Sequence, residues 1–266
     1  MSVDLKGQPW IVSERSMAVM AALEAVGGTD CARFVGGCVR NALLGAPVDD
    51  VDIATQLEPH RTVEALEASA IRVVPTGIDH GTVTAIVKGQ PFEITTLRQD
   101  VETDGRHAVV SFTTDWAKDA ARRDFRLNAL YASADGTLHD PTGEGVKDAL
   151  NGRIVFVGEP EQRIQEDYLR ILRFYRFQAW YGQGKPDEAG SAACAALADG
   201  VKTLSAERVS KELLKLLSAR DPREAVQAMA EAGVLGALIP EADTAYFVGM
   251  VRATPDALLR LSSLLP

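Results

Sequence analysis

The stretch that decides the fold is Phe34–Thr55, FVGGCVRNALLGAPVDDVDIAT. Its short apolar start predicts a strand, Gly36 and Gly37 follow, and residues 39–44 show a helical pattern. Glycines between a strand and a helix let backbone amides approach an anion closely, and the amino end of a helix adds a favourable partial charge. This arrangement suits a phosphate, although a Gly-Gly pair before a helix is more often only a tight turn.

Two aspartates close the same stretch, because Asp50 and Asp52 stand one residue apart among β-branched residues. In a strand across 51–53, the period of two sends both carboxylates to one face. Their repulsion can be offset by a divalent cation, by an Arg or Lys side chain, or by solvent. The glycines and the aspartates together make a metal and phosphate site as reasonable as a solvated strand end.

Length and composition describe an ordinary globular protein. The chain has 266 residues, 46% of them hydrophobic and 24% charged, which favours two domains and argues against disorder. Its apolar runs are too short for a membrane span, and its amino terminus lacks a signal-peptide pattern, so we expect a cytoplasmic protein with no membrane partner. Three cysteines without a Cys-x-x-Cys pair indicate neither a disulfide framework nor a zinc site.

The charge pattern is acidic overall but locally basic. A formal net charge of −9 argues against nonspecific coating of nucleic acid. Arginines nevertheless cluster within 122–126 and within 163–176, and such clusters can serve phosphates.

Periodicity predicts an α+β fold with three segments. Residues 1–30 are interpreted as an amino-terminal helix ending at Gly27-Gly28, 31–157 as a mixed-sheet head, and 158–266 as an all-helical neck and partial body. In the head we expect a helix at 59–69, a loop at 98–111 that is mobile because it is polar and has no period, and several strands. These strands are predicted at 71–74, 82–87, 92–96, 130–133 and 153–157.

The chain ends on an apolar pattern, with leucines at 258, 259, 261, 264 and 265 and no further element to cover them. Either this helix docks back on its own domain or the natural protein continues beyond Pro266. We expect a truncated chain.

Four stretches in order resemble the class II tRNA nucleotidyltransferase and bacterial poly(A) polymerase family, within the DNA polymerase β superfamily. The resemblance runs from Phe34 to Leu213 and implies metal-dependent addition of nucleotides to an RNA 3′ end. The matching stretches are GGCVRNALLG with DDVDIAT, DAARRDFRLNAL at 119–130, EDYLRILRFYRF at 166–177 and LSAERVSKEL at 204–213.

The resemblance implies that Asp50 and Asp52 bind two Mg²⁺ ions, with Mn²⁺ as an alternative. Glu93, in the strand pattern FEITT, would be the third carboxylate of the superfamily, although an exposed strand glutamate is common. Gly36, Gly37 and Arg40 would lie near the phosphate.

The arginine stretch has two interpretations. Arg122 and Arg123 either are solvated or paired with Asp119 and Asp124 on a helix surface or, as the resemblance implies, contact the triphosphate and ribose. Asp124 would then orient an arginine or meet the sugar, with Asn128 beside it. The chain departs from the family at position 126, where Arg replaces the usual Thr, and at position 41, where Asn replaces Asp.

A helix across 166–177 would place Asp167 and Arg170 on one face. They are either an i,i+3 ion pair or, by the resemblance, a protein template for the incoming base. An Asp acceptor beside an Arg donor complements the amino and ring-nitrogen edge that cytosine and adenine share. Glu166 would support Arg170, while Arg173 and Arg176 would face phosphate or pair with acids.

Residues 76–98 are similar to the CCA-adding members, and the loop from Arg98 to His107, with Asp104 and Arg106, resembles their flexible loop. The resemblance therefore implies addition of C and A to the tRNA 3′ end from CTP and ATP. Poly(A) polymerase, a CC-adding or A-adding enzyme, and a fragment that binds nucleotide or RNA without turnover stay open. No signal specifies an oligomeric state.

Overall fold

The computed structural model describes residues 4–104 and 107–265, with the backbone alone for 100–104 and 107–110. The chain forms two compact units, Met1–Leu150 and Asn151–Pro266. The first unit holds a mixed sheet with helices and the second holds helices, so the predicted α+β class is confirmed. The predicted domain limits stay a prediction. No helix in the described ranges is long and apolar enough to span a membrane.

The first unit alternates short helices with a seven-stranded sheet and a separate two-stranded sheet. Its helices are α1 (Glu14–Gly27), α2 (Gly37–Leu43), α3 (Pro59–Ala68), α4 (Trp116–Ala121) and α5 (Gly145–Leu150). Its strands are β1 (Ala32–Val35), β2 (Asp52–Thr55), β3 (Arg72–Gly77), β4 (Thr82–Val87), β5 (Gln90–Thr96), β6 (Arg98–Asp104), β7 (His107–Phe112), β8 (Tyr131–Ala132) and β9 (Leu138–His139).

The large sheet has the order β3-β4-β5-β2-β1-β8-β9, and only its β2–β5 pair is parallel. Phe34, Ile53 and Ile94 are cross-strand partners in three adjacent strands, and all three side chains are fully buried. Because side chains alternate along a strand, the residues on either side of Ile53 point to the opposite face. That opposite face carries Asp52 together with buried apolar residues such as Val35 and Ala54.

The β4–β5 hairpin confirms the sequence prediction, with Lys88 (φ 49°) and Gly89 (φ 81°) forming its tight turn. The amino-terminal helix is shorter than predicted. It begins after Ser13, whose side chain caps the backbone N–H of Ser16 at 3.1 Å, and it ends at Gly27 with Gly28 as its carboxyl-terminal cap. A Gly at the end of this helix accords with the predicted stop.

The prediction of a loop at 98–111 is wrong. Strands β6 and β7 pair antiparallel, with Arg98 opposite Phe112, and the N–H of Thr113 bonds the carbonyl of Leu97 at 2.9 Å to close the base. Backbone hydrogen bonds hold this pair, so it needs no apolar alternation in the sequence. Arg106 lies outside the described residues.

The second unit contains eight α-helices and one 3-10 helix, Ala198–Thr203, among its described residues. The α-helices are α6 (Pro160–Glu166), α7 (Leu169–Tyr181), α8 (Glu188–Ala196), α9 (Ala206–Leu217), α10 (Arg223–Glu231), α11 (Val234–Leu238), α12 (Phe247–Ala253) and α13 (Ala257–Ser262). The strand predicted at 153–157 is wrong, because this stretch is irregular apart from one bridge residue, Phe156. Phe156 instead stacks on Phe174 at 5.6 Å in the core.

The last helix, α13, docks back on its own unit. Arg260 is 2% exposed, and its guanidinium donates to the carbonyls of Leu217 at 2.6 Å and Ala219 at 2.7 Å at the end of α9. Leu258 and Leu259 remain exposed. The charged side chain thus anchors this helix by capping free carbonyls.

Candidate functional site

The first group of polar residues lies on the face of the large sheet opposite Ile53. Asp52 starts β2, and Glu93 is its direct partner in the parallel strand β5, so both carboxylates leave the sheet on the same side. Asp50 lies just before β2 and is exposed, while Val51 between the aspartates is buried. The predicted alternation holds, although β2 begins at Asp52 and not before it.

These carboxylates share a region with too little positive charge. Burial raises the pKa of Asp52 to about 6, the negative charges of Glu93 and Asp50 add to that rise, and the guanidinium of Arg123 opposes it. An excess of carboxylate oxygens is the donor set that a hard divalent cation prefers. The residues therefore fit Mg²⁺.

The carboxylates fit a metal site that is open to substrate and not one in which protein side chains supply all the ligands. Within 4–104 and 107–265, no group of three or more His, Cys, Asp or Glu residues is arranged to hold a metal ion. Mg²⁺ is usually bound by one or two carboxylates together with substrate phosphates. Asp50 and Asp52 match that pattern.

Arg122 and Arg123 are held by one buried carboxylate. Asp119 is fully buried and accepts from Nη2 of Arg122 at 2.7 Å and from Nη2 of Arg123 at 2.9 Å. The hydroxyl of Tyr131 donates to the same carboxylate at 2.7 Å. The interpretation of the arginines as partners of a neighbouring acid is therefore correct for Asp119.

A second chain of hydrogen bonds runs from α2 to the turn after α4. Arg40, 7% exposed, donates to Oδ1 of Asn128 at 2.5 Å, and Nδ2 of Asn128 donates to Oδ1 of Asp124 at 3.1 Å. Arg40 also donates to Oδ1 of Asn41 at 2.8 Å. This chain accounts for Asn41, because the amide still accepts from Arg40 while its Nδ2 donates to the carbonyl of Pro47 at 2.8 Å.

The glycine turn lies against both arginine systems. Gly36 has φ +71°, a conformation that glycine adopts without strain, and a Cβ on it would lie 3.8 Å from Nη1 of Arg123. A Cβ on Gly37 would lie 3.8 Å from Nη2 of Arg40. Arg126, by contrast, lies 3.5 Å from the buried carboxylate of Asp148. The structure therefore brings Gly36, Gly37, Arg40 and Arg123 together and gives Arg126 a separate partner.

In the second unit, Asp167 and Arg170 were predicted to share one helix, and they do not. It separates α6 from α7 with an extended backbone (φ −158°, ψ 106°), and its carboxylate accepts from the N–H of Leu169 at 3.1 Å. The other oxygen accepts from Nη2 of Arg208 at 2.7 Å. The prediction of one continuous helix is wrong, because the extended backbone of Asp167 interrupts the helix between α6 and α7.

Arg170 pairs with Glu166, as the sequence predicts. Its Nη1 donates to Glu166 Oε2 and to the carbonyl of Arg163 at 2.8 Å. Arg163 in turn donates to Oε1 of Glu166 at 2.7 Å. Glu166 thereby fixes two guanidinium groups.

Arg173 and Arg176 lie near the buried acid Glu212 of α9. Nε of Arg176 donates to Oε2 of Glu212 at 2.5 Å, and Nη1 of Arg173 lies 3.9 Å from Oε1. Of the two predicted alternatives, phosphate or acidic partners, the structure shows the acidic one for these side chains.

Sequence reasoning missed Tyr131, Arg208 and Glu212. Arg208 and Glu212 are four residues apart, so they occupy one face of α9 and face the 166–177 region together. Their spacing within LSAERVSKEL is a signal that could have revealed them. Tyr131 has no such signal, since it looks like an ordinary strand residue.

Comparison with known proteins places this geometry in a family. The profile "Poly A polymerase head domain" matches residues 32–155, and "Probable RNA and SrmB- binding site of polymerase A" matches 185–246. The chain is 47% identical over 191 residues to the Homo sapiens "CCA tRNA nucleotidyltransferase 1, mitochondrial", which covers 70% of this chain and 43% of that protein. The chain belongs to the class II CCA-adding enzyme and poly(A) polymerase family.

Bacterial relatives agree. The "CCA-adding enzyme" of Lacticaseibacillus paracasei is 38% identical over 217 residues, 80% of this chain and 52% of that protein. The crystal structure of the Bacillus stearothermophilus CCA-adding enzyme in complex with CTP superposes with a TM-score of 0.72 at 32% identity, covering 83% of this chain and 52% of that one. The chain spans about half the length of the curated relatives it matches, for example 52%.

Proposed function

We propose that the chain carries the catalytic part of a template-independent RNA nucleotidyltransferase. It adds C and A to the 3′ end of tRNA from CTP and ATP and releases pyrophosphate. The observation that carries this proposal is the placement of Asp52 and Glu93 side by side on the open sheet face, with Asp50 and Arg123 close enough to shift the pKa of Asp52.

Asp50 and Asp52 would hold Mg²⁺, or Mn²⁺ in its place, as two ions, with Glu93 as the third carboxylate of the site. The bound metal supplies Lewis-acid polarisation of the phosphoryl group and favours the ionised 3′-hydroxyl. The open arrangement of the carboxylates supports this assignment, because it leaves coordination positions for substrate oxygens.

The positive groups of the first unit would bind the triphosphate. Arg123 lies beside the Gly36 turn, and Arg40 lies beside Gly37, so two guanidinium groups converge there. Arg122 would donate to the triphosphate from the side of its guanidinium that faces away from Asp119. Asp124 and Asn128 would orient Arg40 toward the phosphate and sugar.

Asp167 and Arg170 would read the base. Each is held by a partner outside the pair, Asp167 by Arg208 and Arg170 by Glu166, so both present a fixed donor or acceptor. Cytosine and adenine match this order of acceptor and donor, whereas uracil and guanine present the reverse. Arg173 and Arg176 would hold α7 in place through Glu212. Arg98, Asp104, Arg106 and His107 would form the loop used in the change from C to A addition.

The match of residues 185–246 to an RNA-binding profile supports tRNA as the partner. The family profile bears the name of poly(A) polymerase, and this observation favours poly(A) addition as the second candidate. A cytoplasmic location stays a prediction, since the relative from Homo sapiens is named mitochondrial.

The deciding experiment offers the purified chain a tRNA that lacks its terminal CCA, together with Mg²⁺ and labelled CTP, ATP or both. We expect addition of two C residues followed by one A. Long A-only tails would establish poly(A) polymerase. Nucleotide binding without incorporation, by a well-folded protein, would establish a fragment without turnover.

A further inference from the structure

Asp119 is the most heavily bonded carboxylate of the described site, and it has no exposed surface. Its Oδ1 accepts from Nε of Arg122 at 2.8 Å and from the backbone N–H of Arg98 at 3.3 Å. Its Oδ2 accepts from Nε of Arg123 at 3.2 Å and from the hydroxyl of Tyr131 at 2.7 Å. One carboxylate thus bonds four residues.

The four donors come from separate parts of the first unit. Arg98 is the first residue of β6 and hence the base of the β6–β7 hairpin. Arg122 and Arg123 follow α4, and Tyr131 lies in β8 of the large sheet. Asp119 is therefore the point at which the hairpin, the arginine pair and the sheet are joined.

The carboxylate is ionised at neutral pH despite its burial. Burial alone would raise its pKa, but the charges of Arg123 and Arg122 and the hydrogen bond from Tyr131 outweigh it and lower the pKa of Asp119 to about 2. The guanidinium groups of Arg122 and Arg123 are therefore both paired with this single negative charge.

Arg123 extends the arrangement toward the reacting region. Its guanidinium lowers the pKa of Asp52, and its Nη1 lies beside the Gly36 turn. A displacement of Arg123 would therefore change both the pKa of Asp52 and the positive charge beside the Gly36 turn.

We propose that Asp119 is a positioning residue that fixes the base of the β6–β7 hairpin and the nucleotide-facing arginines as one unit. Its influence on nucleotide binding rests on the proposed function, whereas its hold on the hairpin does not. Asp119 does not touch substrate, because it is fully buried behind Arg122 and Arg123.

A buried ion pair in the same unit gives the matched control. Asp148 is also fully buried and lies 3.5 Å from Nη1 of Arg126. Asp148→Asn makes the same chemical change as Asp119→Asn, but its arginine does not lie beside the glycine turn. A role in stability alone predicts that both variants bind CTP and ATP as the wild type does.

The experiment measures KM for CTP and ATP, affinity for CTP alone by calorimetry, and hydrogen exchange of the Arg98 amide by NMR. For Asp119→Asn we expect KM and the dissociation constant of CTP to rise about tenfold and the Arg98 amide to exchange about tenfold faster. For Asp148→Asn we expect lower thermal stability, with KM, the dissociation constant of CTP and the exchange of the Arg98 amide at their wild-type values.

A folded Asp119→Asn protein with wild-type KM overturns the proposal, even if its Arg98 amide exchanges faster, since Asp119 would then be only a structural anchor. If Asp119→Asn does not fold, Tyr131→Phe replaces it, because this change removes one donor and keeps the ring. We expect about threefold changes in the same direction, and wild-type values would equally overturn the proposal.

A wild-type chain that incorporates no nucleotide would refute the proposed function and leave the positioning role testable. In that case CTP affinity and Arg98 exchange decide it, since neither requires turnover.

Discussion

Asp52 and Glu93 are direct partners on the parallel strands β2 and β5, and their carboxylates project from the same face of the sheet. Burial and the charges of Glu93 and Asp50 raise the pKa of Asp52 to about 6. Folding therefore brings negatively charged carboxylates together on this face, and the positive side chains nearby do not fully neutralise them.

The first prediction concerns stability against pH. The folded pKa of Asp52 is above its unfolded value, so the native state binds more protons between about pH 4 and about pH 6, and stability falls as pH rises through that window. Above it, Asp52→Asn should stabilise the metal-free protein by about 2 kcal/mol, and by about half as much at about pH 5.

Urea unfolding with EDTA measures this difference, and millimolar Mg²⁺ provides the contrast. The cation should stabilise the wild type more than Asp52→Asn. Equal unfolding free energies for the two proteins above about pH 7 would contradict the raised pKa.

The second prediction separates two adjacent aspartates. Asp50→Asn should lower incorporation of CTP by at least about 1000-fold, because the proposed metal site loses one of its two ligands. Asp49 is also exposed but does not contribute to the shift at Asp52, so Asp49→Asn should retain nearly full activity. Incorporation kinetics with Mg²⁺ compare the two, and robust activity in Asp50→Asn would refute the metal assignment.

The third prediction concerns base selection. Asp167→Asn should reduce discrimination against UTP and GTP by about tenfold or more, because the amide can donate where the carboxylate only accepts. The measurement is the ratio of kcat/KM values among the four nucleotides. Unchanged ratios would mean that Asp167 does not read the base.

The fourth prediction tests the missed partner Arg208. Arg208→Gln should raise KM for CTP and ATP about threefold to tenfold, because Asp167 loses a charge-assisted bond that orients it. Lys211→Gln removes an exposed positive charge from the same helix and should leave KM unchanged. Equal effects of both variants would point to overall charge and not to orientation.

The fifth prediction concerns the stability of the second unit. Glu212 is 6% exposed and bonds Arg176, so Glu212→Gln should cost about 2 kcal/mol in unfolding free energy. Glu207→Gln, at an exposed position of the same helix, should change it by less than about 0.5 kcal/mol. Thermal or urea denaturation measures both, and a neutral Glu212→Gln would contradict the role of the pair.

The sequence alone predicted those elements whose local signals are strong. The β4–β5 hairpin has period-two runs on both sides of Lys88-Gly89, and the structure confirms it. The β6–β7 hairpin was missed because its stability comes from backbone pairing that leaves no apolar alternation. The break at Asp167 was missed because no Gly or Pro marks it, and the bonds of its carboxylate to the Leu169 N–H and to Arg208 arise only in the folded chain.

In the candidate site too, residues with a local sequence signal were predicted, and residues brought together only by folding were not. Asp50 and Asp52 were identifiable from their spacing, and the family resemblance pointed to Glu93 and the arginines. The bonds of Asp119 could be found only from the folded structure, since Arg98 and Tyr131 reach it from distant positions in the chain.

The bond between the N–H of Thr113 and the carbonyl of Leu97 closes the β6–β7 hairpin at its root. The two ends of the hairpin are therefore adjacent, and among the described strands β6 and β7 pair with each other and not with the large sheet. Beyond this closing bond and the Arg98 amide that Asp119 holds, we expect a change in the length of the hairpin to leave the register of the large sheet unchanged.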